Sequence, residues 1–176
     1  MPENEVMLDG LAIEERNILV KASAASSADI IRQLGALLYN NGFVKDTYVQ
    51  AVLDREQVYP TGLQTSVLGF AIPHTDTEHV NKPALAVATL ERPVIFRAMD
   101  DPGVEIPVNI VMMLAISDPE SVVNVLRKVI SILEDQPALL RLTHAASRDE
   151  IRQAVCDHIR SFVDIISIDS PLDFNH

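Results

Sequence analysis

The feature that most limits the fold is a run of nine residues, 108–116, in which every side chain except that of Asn109 is apolar. A strand with one face towards solvent alternates apolar and polar residues, whereas a strand buried on both faces is apolar throughout. A membrane-spanning helix needs about 20 residues, so this run is too short to cross a bilayer. Residues 108–116 therefore predict a central strand that other elements cover on both faces.

Helices are predicted both before and after this strand. Ser26 with Asp29, and Ser147 with Glu150, have the spacing of capping boxes, which mark the first turn of a helix. The predicted helices span residues 26–40, 46–56, 118–133, 137–142 and 147–159. The predicted strands are residues 18–20, 65–72, 84–90, 94–96 and 108–116, with a β-like tail at 163–168, while residues 1–17 show no clear period. This order predicts one α/β sheet domain with helices on two sides.

Length and charge limit the class of protein further. A chain of 176 residues without a Gly- or Ser-rich linker predicts a single domain over residues 1–176. The net charge of −11 argues against nucleic acid and anionic membranes, and favours a partner with a basic face. No charged start with an apolar signal core is present, so a cytoplasmic protein is expected.

The cysteine and three of the five histidines give no sign of a catalytic or metal-binding role. The one cysteine, Cys156, excludes an intramolecular disulfide and a thiolate zinc site, and its apolar context predicts a core position. His144, His158 and His176 have no partners at a meaningful spacing, so we expect them at the surface.

His74 is the main candidate for chemistry. It follows the apolar segment 69–72 and Pro73, which ends strand pairing because proline has no N–H to donate. A histidine with a pKa near ~6.5 is largely neutral in the cytoplasm and has one nitrogen with a free lone pair. His74 is therefore either a nucleophile or an inert histidine at the start of a loop.

A metal site is an alternative use of the same segment. His74, Asp76 and His79 supply two imidazoles and a carboxylate within six positions, which are ligand types that zinc accepts. Their spacing does not match the i,i+4 pair of histidines on a helix that zinc proteases use. A solvated loop is the simpler explanation of Asp76 and His79.

Arg55 is the candidate phosphate ligand. A guanidinium group matches phosphate oxygens and keeps its charge, although an arginine at the end of a helix is usually a surface residue. The chain has neither the G-x-G-x-x-G nor the G-x-x-x-x-G-K-[ST] motif, so direct use of NAD or ATP is not expected.

The segments Asp54-Arg55-Glu56, Thr61-Gly62 and 69–74 together resemble the enzyme IIA domain of the sugar phosphotransferase system, mannitol–fructose type. The resemblance covers residues 18–160. It implies an α/β fold, with a single mixed β-sheet flanked by helices on both sides. It also implies that His74 is the phosphorylated histidine and that Arg55 stabilises the phosphoryl group.

The resemblance implies a phosphoryl relay that needs no cofactor and no metal. Phospho-HPr donates its phosphoryl group to His74, and His74 passes it to a IIB protein. The membrane protein IIC is reached only indirectly, through IIB. Such a transfer depends on alignment of the two nucleophiles and on stabilisation of charge.

One segment departs from the mannitol pattern. Mannitol-type members have a second histidine at the start of the helix after the central strand, where this chain has Asp118 to Val123 without a histidine. Thr75 and Asp76 replace the more usual glycine after the active histidine, which resembles the galactitol-type branch. In that branch IIA is a separate chain and its IIB uses a cysteine.

Three functions remain open at this point. The first is a phosphoryl carrier for a galactitol-like or fructose-like sugar system. The second is a regulatory IIA-like protein, in which phosphorylation of His74 controls a partner. The third is a metal-dependent hydrolase that uses His74, Asp76 and His79.

Overall fold

Residues 108–115 of the apolar run form the C-terminal part of strand β6, which lies between two other strands of a six-stranded sheet. The computed structural model describes residues 5–8 and 10–168. The strands are β1 (Glu5–Leu8), β2 (Leu11–Ala22), β3 (Gly62–Gln64), β4 (Gly69–Ala71), β5 (Ala84–Arg97) and β6 (Glu105–Ala115). The helices are α1 (Ser27–Asn40), α2 (Tyr48–Val58), α3 (Val122–Ile130), α4 (Gln136–His144) and α5 (Arg148–Ile168).

The sheet is mixed and has the strand order β1-β2-β5-β6-β4-β3. Strand β6 pairs with β5 in antiparallel and with β4 in parallel orientation, and β2 is parallel to β5. The two edge hairpins, β1–β2 and β3–β4, are antiparallel. The predicted central strand is thus confirmed, and it begins three residues earlier than the apolar run.

Helices cover both faces of the sheet, as the apolar strand required. Met112 of β6 belongs to a core with residues of α3, α4 and α5, whereas its neighbour Met113 belongs to a second core with residues of α1 and α2. Successive side chains of a strand point to opposite faces, so the two methionines fill different layers. The α/β fold with one mixed sheet between two helical layers is therefore confirmed.

The capping boxes mark two helix starts correctly. The N–H of Asp29 donates to Ser26 Oγ at 3.2 Å, and the N–H of Glu150 donates to Ser147 Oγ at 3.1 Å. The carboxylates reach back to the N–H groups of Ala25 and Ala146, both at 2.9 Å. These reciprocal bonds satisfy N–H groups that a first helical turn leaves without a partner.

Three predictions about strands were wrong. Residues 65–72 are not one strand, because Thr65 Oγ1 accepts the N–H groups of Val67 and Leu68 in a tight turn between β3 and β4. Residues 84–97 form one strand, with an irregular register between Thr89 and Val94. The strand predicted at 18–20 is only part of β2, which already begins at Leu11 and is preceded by β1.

The predicted β-like tail at 163–168 was also wrong, because these residues continue helix α5. A helix that has already formed gains one hydrogen bond for each residue it adds, whereas a strand needs a partner. Along residues 5–8 and 10–168, no helix is long and apolar enough to span a membrane.

Candidate active site

His74 lies where the chain leaves the sheet after β4. All three residues of β4 are buried, and Phe70 and Ala71 pair with Ile110 and Val111 of β6. The carbonyl of Pro73 still accepts the N–H of Leu114 at 3.1 Å. Pro73 has no N–H of its own, so regular pairing stops there and His74 begins the loop.

Gly69 allows β4 to come this close to β6. A Cβ atom at this position would lie 2.0 Å from the carbonyl oxygen of Pro107, a distance that no real side chain tolerates. The N–H of Gly69 also donates to Asn109 Oδ1 at 3.3 Å. Glycine is thus required at the start of the strand that leads to His74.

The backbone fixes the orientation of the half-buried His74 ring. Its Nδ1–H donates to the carbonyl oxygen of Ile72 at 2.8 Å, since a carbonyl can only accept. In a neutral imidazole with hydrogen on Nδ1, the lone pair is on Nε2. The Ile72 carbonyl therefore leaves Nε2 with the free lone pair that a nucleophilic histidine would need.

The surroundings keep the His74 ring neutral. Burial lowers the pKa of His74 below its usual value, and the nearby positive charge of Arg55 lowers it further. The hydrogen bond to Ile72 and the negative charge of Asp76 act in the opposite direction on this pKa without reversing the net shift. At neutral pH the ring is consequently uncharged, which is the state that a nucleophile needs.

Arg55 lies beside the same loop, in the last turn of α2. Its Nη1 is 3.8 Å from Asp76 Oδ1, and its guanidinium carbon is 5.3 Å from the centre of the Tyr59 ring. Its Nε is buried and has no hydrogen-bond partner among the residues that the structure describes. The structure thus brings the two predicted site residues, His74 and Arg55, into one electrostatic environment.

Leu114 of β6 holds both segments that carry His74 and Arg55. The buried hydroxyl of Tyr48, the first residue of α2, donates to the carbonyl oxygen of Leu114 at 2.7 Å. The N–H of the same Leu114 holds the Pro73 carbonyl. The helix that carries Arg55 and the strand end that carries His74 are therefore bound to one residue of β6.

Glu56 and Thr61 close the turn after α2. A Glu56 carboxylate oxygen accepts the N–H of Thr61, and the Thr61 hydroxyl donates to the same carboxylate at 2.9 Å. Burial raises the pKa of Glu56, although both bonds from Thr61 oppose this shift. In the sequence Glu56 and Thr61 are recognisable only as part of the family motif, whereas in the structure their hydrogen bonds fix the turn that follows the helix of Arg55.

The segment after His74 does not form a metal site. His79 Nδ1 is 2.8 Å from Thr47 Oγ1, and His79 Nε2 is 3.5 Å from a carboxylate oxygen of Glu78. No three histidine, cysteine or acidic side chains of the described residues are arranged to hold a metal ion. The geometry thus gives no support to a hydrolase that uses His74, Asp76 and His79.

This geometry agrees with the comparison to known proteins. Residues 12–157 match the model of a family described as "Phosphoenolpyruvate-dependent sugar phosphotransferase system, EIIA 2". The chain belongs to this EIIA 2 family. Members of the family are components of a phosphotransferase system, so the resemblance expected from the sequence is confirmed.

Two curated relatives illustrate the range of EIIA proteins that match. A galactitol-specific EIIA component from Escherichia coli K12 is 27% identical over 126 residues, which are 70% of this chain and 83% of the relative. A mannitol-specific enzyme IIA component from Staphylococcus aureus Mu50 is 32% identical over 138 residues, which are 78% of this chain and 90% of the relative.

This chain is also similar to the IIA protein in a solved complex of two phosphotransferase components. The complex of mannitol enzyme IIA with phosphorylated mannitol enzyme IIB, from Escherichia coli, aligns with a TM-score of 0.66 and 28% identity. The alignment covers 81% of this chain and 95% of that chain. The α/β fold of this chain thus agrees with a solved structure of the mannitol type.

His158 is the histidine that the sequence analysis assigned incorrectly. It is 9% exposed on α5, its Nδ1–H donates to Asp135 at 2.7 Å, and its Nε2 is 2.7 Å from Ser131 Oγ. Ser131 and Asp135 lie between α3 and α4, so His158 links α5 to the connection between these two helices. Cys156 is buried and His144 is exposed, as predicted, while His176 lies outside the described residues.

Proposed function

We propose that this chain is a phosphoryl carrier of a galactitol-like or fructose-like sugar system. Phospho-HPr is the proposed donor to His74, and a IIB protein is the proposed acceptor. The observation that carries the proposal is the hydrogen bond from His74 Nδ1–H to the Ile72 carbonyl, because it leaves Nε2 as the nucleophile.

The transfer requires one bond to form and one to break. The Nε2 lone pair of His74 attacks the phosphorus of the donor phosphohistidine, and a new N–P bond forms. The old N–P bond breaks, and its electron pair returns to the donor nitrogen. The proton on His74 Nδ1 stays in place, held by Ile72, so no general base is needed in this step.

Arg55 is the proposed stabiliser of charge on the phosphoryl oxygens. Its guanidinium keeps its positive charge, and its long contact of 3.8 Å to Asp76 leaves donors available for another anion. Stabilisation of a developing charge by fixed donors is usually the largest contribution to such a step. The chemistry requires neither a metal nor a cofactor.

The proposed partners follow from charge and from the related complex. The net charge of −11 suits partners with a basic face around their reactive group. The solved complex of a mannitol IIA with a phosphorylated IIB supports a IIB acceptor here as well. IIC is a partner only through IIB, nucleic acid is not a partner, and the proposed location is the cytoplasm.

The first test is intact mass after incubation with phosphoenolpyruvate, enzyme I and HPr. We expect one added phosphoryl group that is labile in acid and absent from His74→Ala. An unchanged mass, with enzyme I and HPr shown to be active, would exclude the proposed relay. Onward transfer to a IIB protein would support the carrier, whereas phosphorylation without transfer to any IIB would favour the regulatory alternative.

Arg55→Ala tests the proposed stabiliser. We expect the rate of phosphorylation of His74 to fall by about 100-fold, the usual effect of losing one stabilising donor. Arg92→Ala is the matched control, because Arg92 is an exposed arginine on β5. Equal rates in the Arg55 and Arg92 variants would contradict the role of Arg55.

A further inference from the structure

We propose that Asp76 is a positioning residue that competes with the phosphoryl group for Arg55. In the unphosphorylated protein Asp76 is the carboxylate that faces Arg55, at 3.8 Å, and on phosphorylation Arg55 moves its contact from Asp76 to the phosphoryl oxygens. The carboxylate then lies unpaired close to a dianion, which favours transfer of the group to the acceptor. This inference rests on the function proposed above.

The ion pair between Arg55 and Asp76 is loose enough to be exchanged. The two atoms are 3.8 Å apart, and the side chains are 36% and 75% exposed. By comparison, Arg141 and Asp157 of the same protein approach to 2.9 Å. An exposed pair at long distance contributes little free energy, so a better anion can replace Asp76.

Arg55 has the unused donors that such an exchange requires. One face of its guanidinium is covered by the Tyr59 ring at 5.3 Å, which limits the movement of the group. Its buried Nε has no hydrogen-bond partner within the described part of the chain. A buried donor without a partner is costly, and a phosphoryl group offers three strong acceptor oxygens.

Asp76 stays near His74 because its loop is anchored on both sides. Before Asp76, the carbonyl oxygen of Ile72 accepts the Nδ1–H of His74, and the carbonyl oxygen of Pro73 accepts the N–H of Leu114. Past Asp76, the His79 ring contacts Thr47 at 2.8 Å, and the carbonyl oxygen of His79 accepts the N–H of Lys45 at 2.9 Å. Movement of the carboxylate away from the phosphoryl group is therefore restricted.

The two charges already act on the ring of His74 in opposite directions. Asp76 raises the pKa of His74 and Arg55 lowers it, so each charge is close enough to affect the ring. A phosphoryl group on Nε2 carries negative charge, so Arg55 attracts it and Asp76 repels it. Arg55 therefore stabilises the phosphorylated state, and Asp76 destabilises it. Asp76 thus limits how strongly Arg55 can retain the group.

The test compares the phosphoryl equilibrium of Asp76→Asn with that of the wild type. Each protein is mixed with HPr and phospho-HPr until the distribution is constant, and intact mass gives the phosphorylated fraction of both partners. An equilibrium ratio does not depend on how fast the partners associate. We expect Asp76→Asn to raise the ratio in favour of phosphorylated His74 by about threefold, the scale of an exposed charge interaction.

Glu78→Gln is the matched control. Glu78 has the same exposed fraction as Asp76, 75%, and its substitution removes the same charge two residues further along the loop. We expect a smaller change of the equilibrium for this variant. Added salt should reduce the difference between the Asp76→Asn ratio and the wild-type ratio, because ions screen the exposed carboxylate that distinguishes the two proteins.

Three outcomes would overturn the inference, and the third would overturn the proposed function as well. A ratio unchanged in Asp76→Asn would show that its charge does not oppose the phosphoryl group. A lower ratio, as expected for Arg55→Ala, would show that Asp76 instead orients Arg55 for the phosphoryl group. If wild type itself accepts no phosphoryl group from active phospho-HPr, the proposed function fails, and the inference falls with it.

Discussion

At the scale of single residues, the environment of a histidine determines what it can do. His74 uses one nitrogen for the Ile72 carbonyl, and among the described residues Nε2 has no hydrogen-bonding partner. His158 uses both nitrogens, one for Asp135 and the other for Ser131. A nucleophile needs a free lone pair, so only the first of these environments suits a phosphoryl acceptor.

The His74 environment predicts its titration. We expect nitrogen chemical shifts in NMR to show hydrogen on Nδ1 and a pKa below the usual 6.5, because burial outweighs the bond to Ile72. With a pKa below 6.5, more than half of the rings are neutral at pH 6.5, and the charged form predominates only at a lower pH. We expect Asp76→Asn to lower this pKa further and Arg55→Ala to raise it.

A pKa of His74 above 6.5, or hydrogen on Nε2 of the neutral ring, would contradict the geometry. His74→Ala identifies the resonance, because the signal that disappears from its spectrum is that of His74. The direction of the shift also fixes the sign of its effect on stability. Protonation of His74 favours the unfolded chain, so this histidine destabilises the fold only below the pKa of an unfolded histidine.

At the scale of elements, β4 depends on its first residue. We expect Gly69→Ala to lower the free energy of unfolding by about 1–3 kcal/mol, because its Cβ meets the carbonyl oxygen of Pro107 and the backbone must move. Phosphorylation of His74 should slow as well, since the contact of Pro73 with Leu114 belongs to the same pairing. Urea unfolding and intact mass measure the two effects.

Gly103→Ala is the control for this variant. A Cβ at Gly103 lies 3.2 Å from a carboxylate oxygen of Asp101, the end of an exposed side chain that can move. We expect a change in unfolding free energy within about 0.5 kcal/mol, as for most surface substitutions. Equal effects in the two variants would mean that the approach of β4 to β6 does not require glycine.

Asp135 links two helices, because it caps α4 and contacts His158 of α5. It accepts the N–H of Ala138 at 3.0 Å and the Nδ1–H of His158 at 2.7 Å. Partial burial raises the pKa of Asp135, but the hydrogen bond from His158, with the further bond from Ala138, outweighs burial and lowers this pKa below 3.8. The carboxylate therefore stabilises the fold at pH values above 3.8 and loses this effect as the pH falls through its folded pKa.

We expect Asp135→Asn to cost about 1–2 kcal/mol at pH 7, since the amide can still cap α4 but loses the charge that faces His158. The difference between variant and wild type should shrink as the pH falls below about 4. Urea unfolding at pH 7 and at pH 3 measures it. The same difference at both pH values would exclude the charge as its cause.

Local chemistry explains which elements could be predicted. The helices that begin at Ser27 and Arg148 were predictable, because their caps act within four residues of the sequence. The turn at Thr65 was missed, since its hydroxyl offers the backbone an alternative to strand pairing. Strand β2 was mostly missed, because its pairing with β5 depends on residues about 70 positions away.

At the scale of the whole molecule, the site joins parts of the chain that are distant in sequence. His74 and Arg55 could be named from the sequence through a family motif, and their roles stay predictions. The link between Tyr48 and Leu114 spans 66 positions and involves a backbone carbonyl, so no sequence pattern indicates it. His158 was misassigned for the same reason, since Asp135 lies 23 positions away without a regular spacing.

The net charge of −11 should affect how fast the donor associates with this chain, and not the phosphoryl transfer itself. An acidic protein attracts a basic partner over several ångströms, and salt screens that attraction. We therefore expect the rate of phosphorylation at low donor concentration to fall by about tenfold between about 0.05 M and 0.5 M sodium chloride. At saturating donor the rate should change far less, because the complex is already formed. A rate at low donor that is constant or rises with salt would mean that the acidic surface does not steer the donor, and that the charge of this chain serves another purpose.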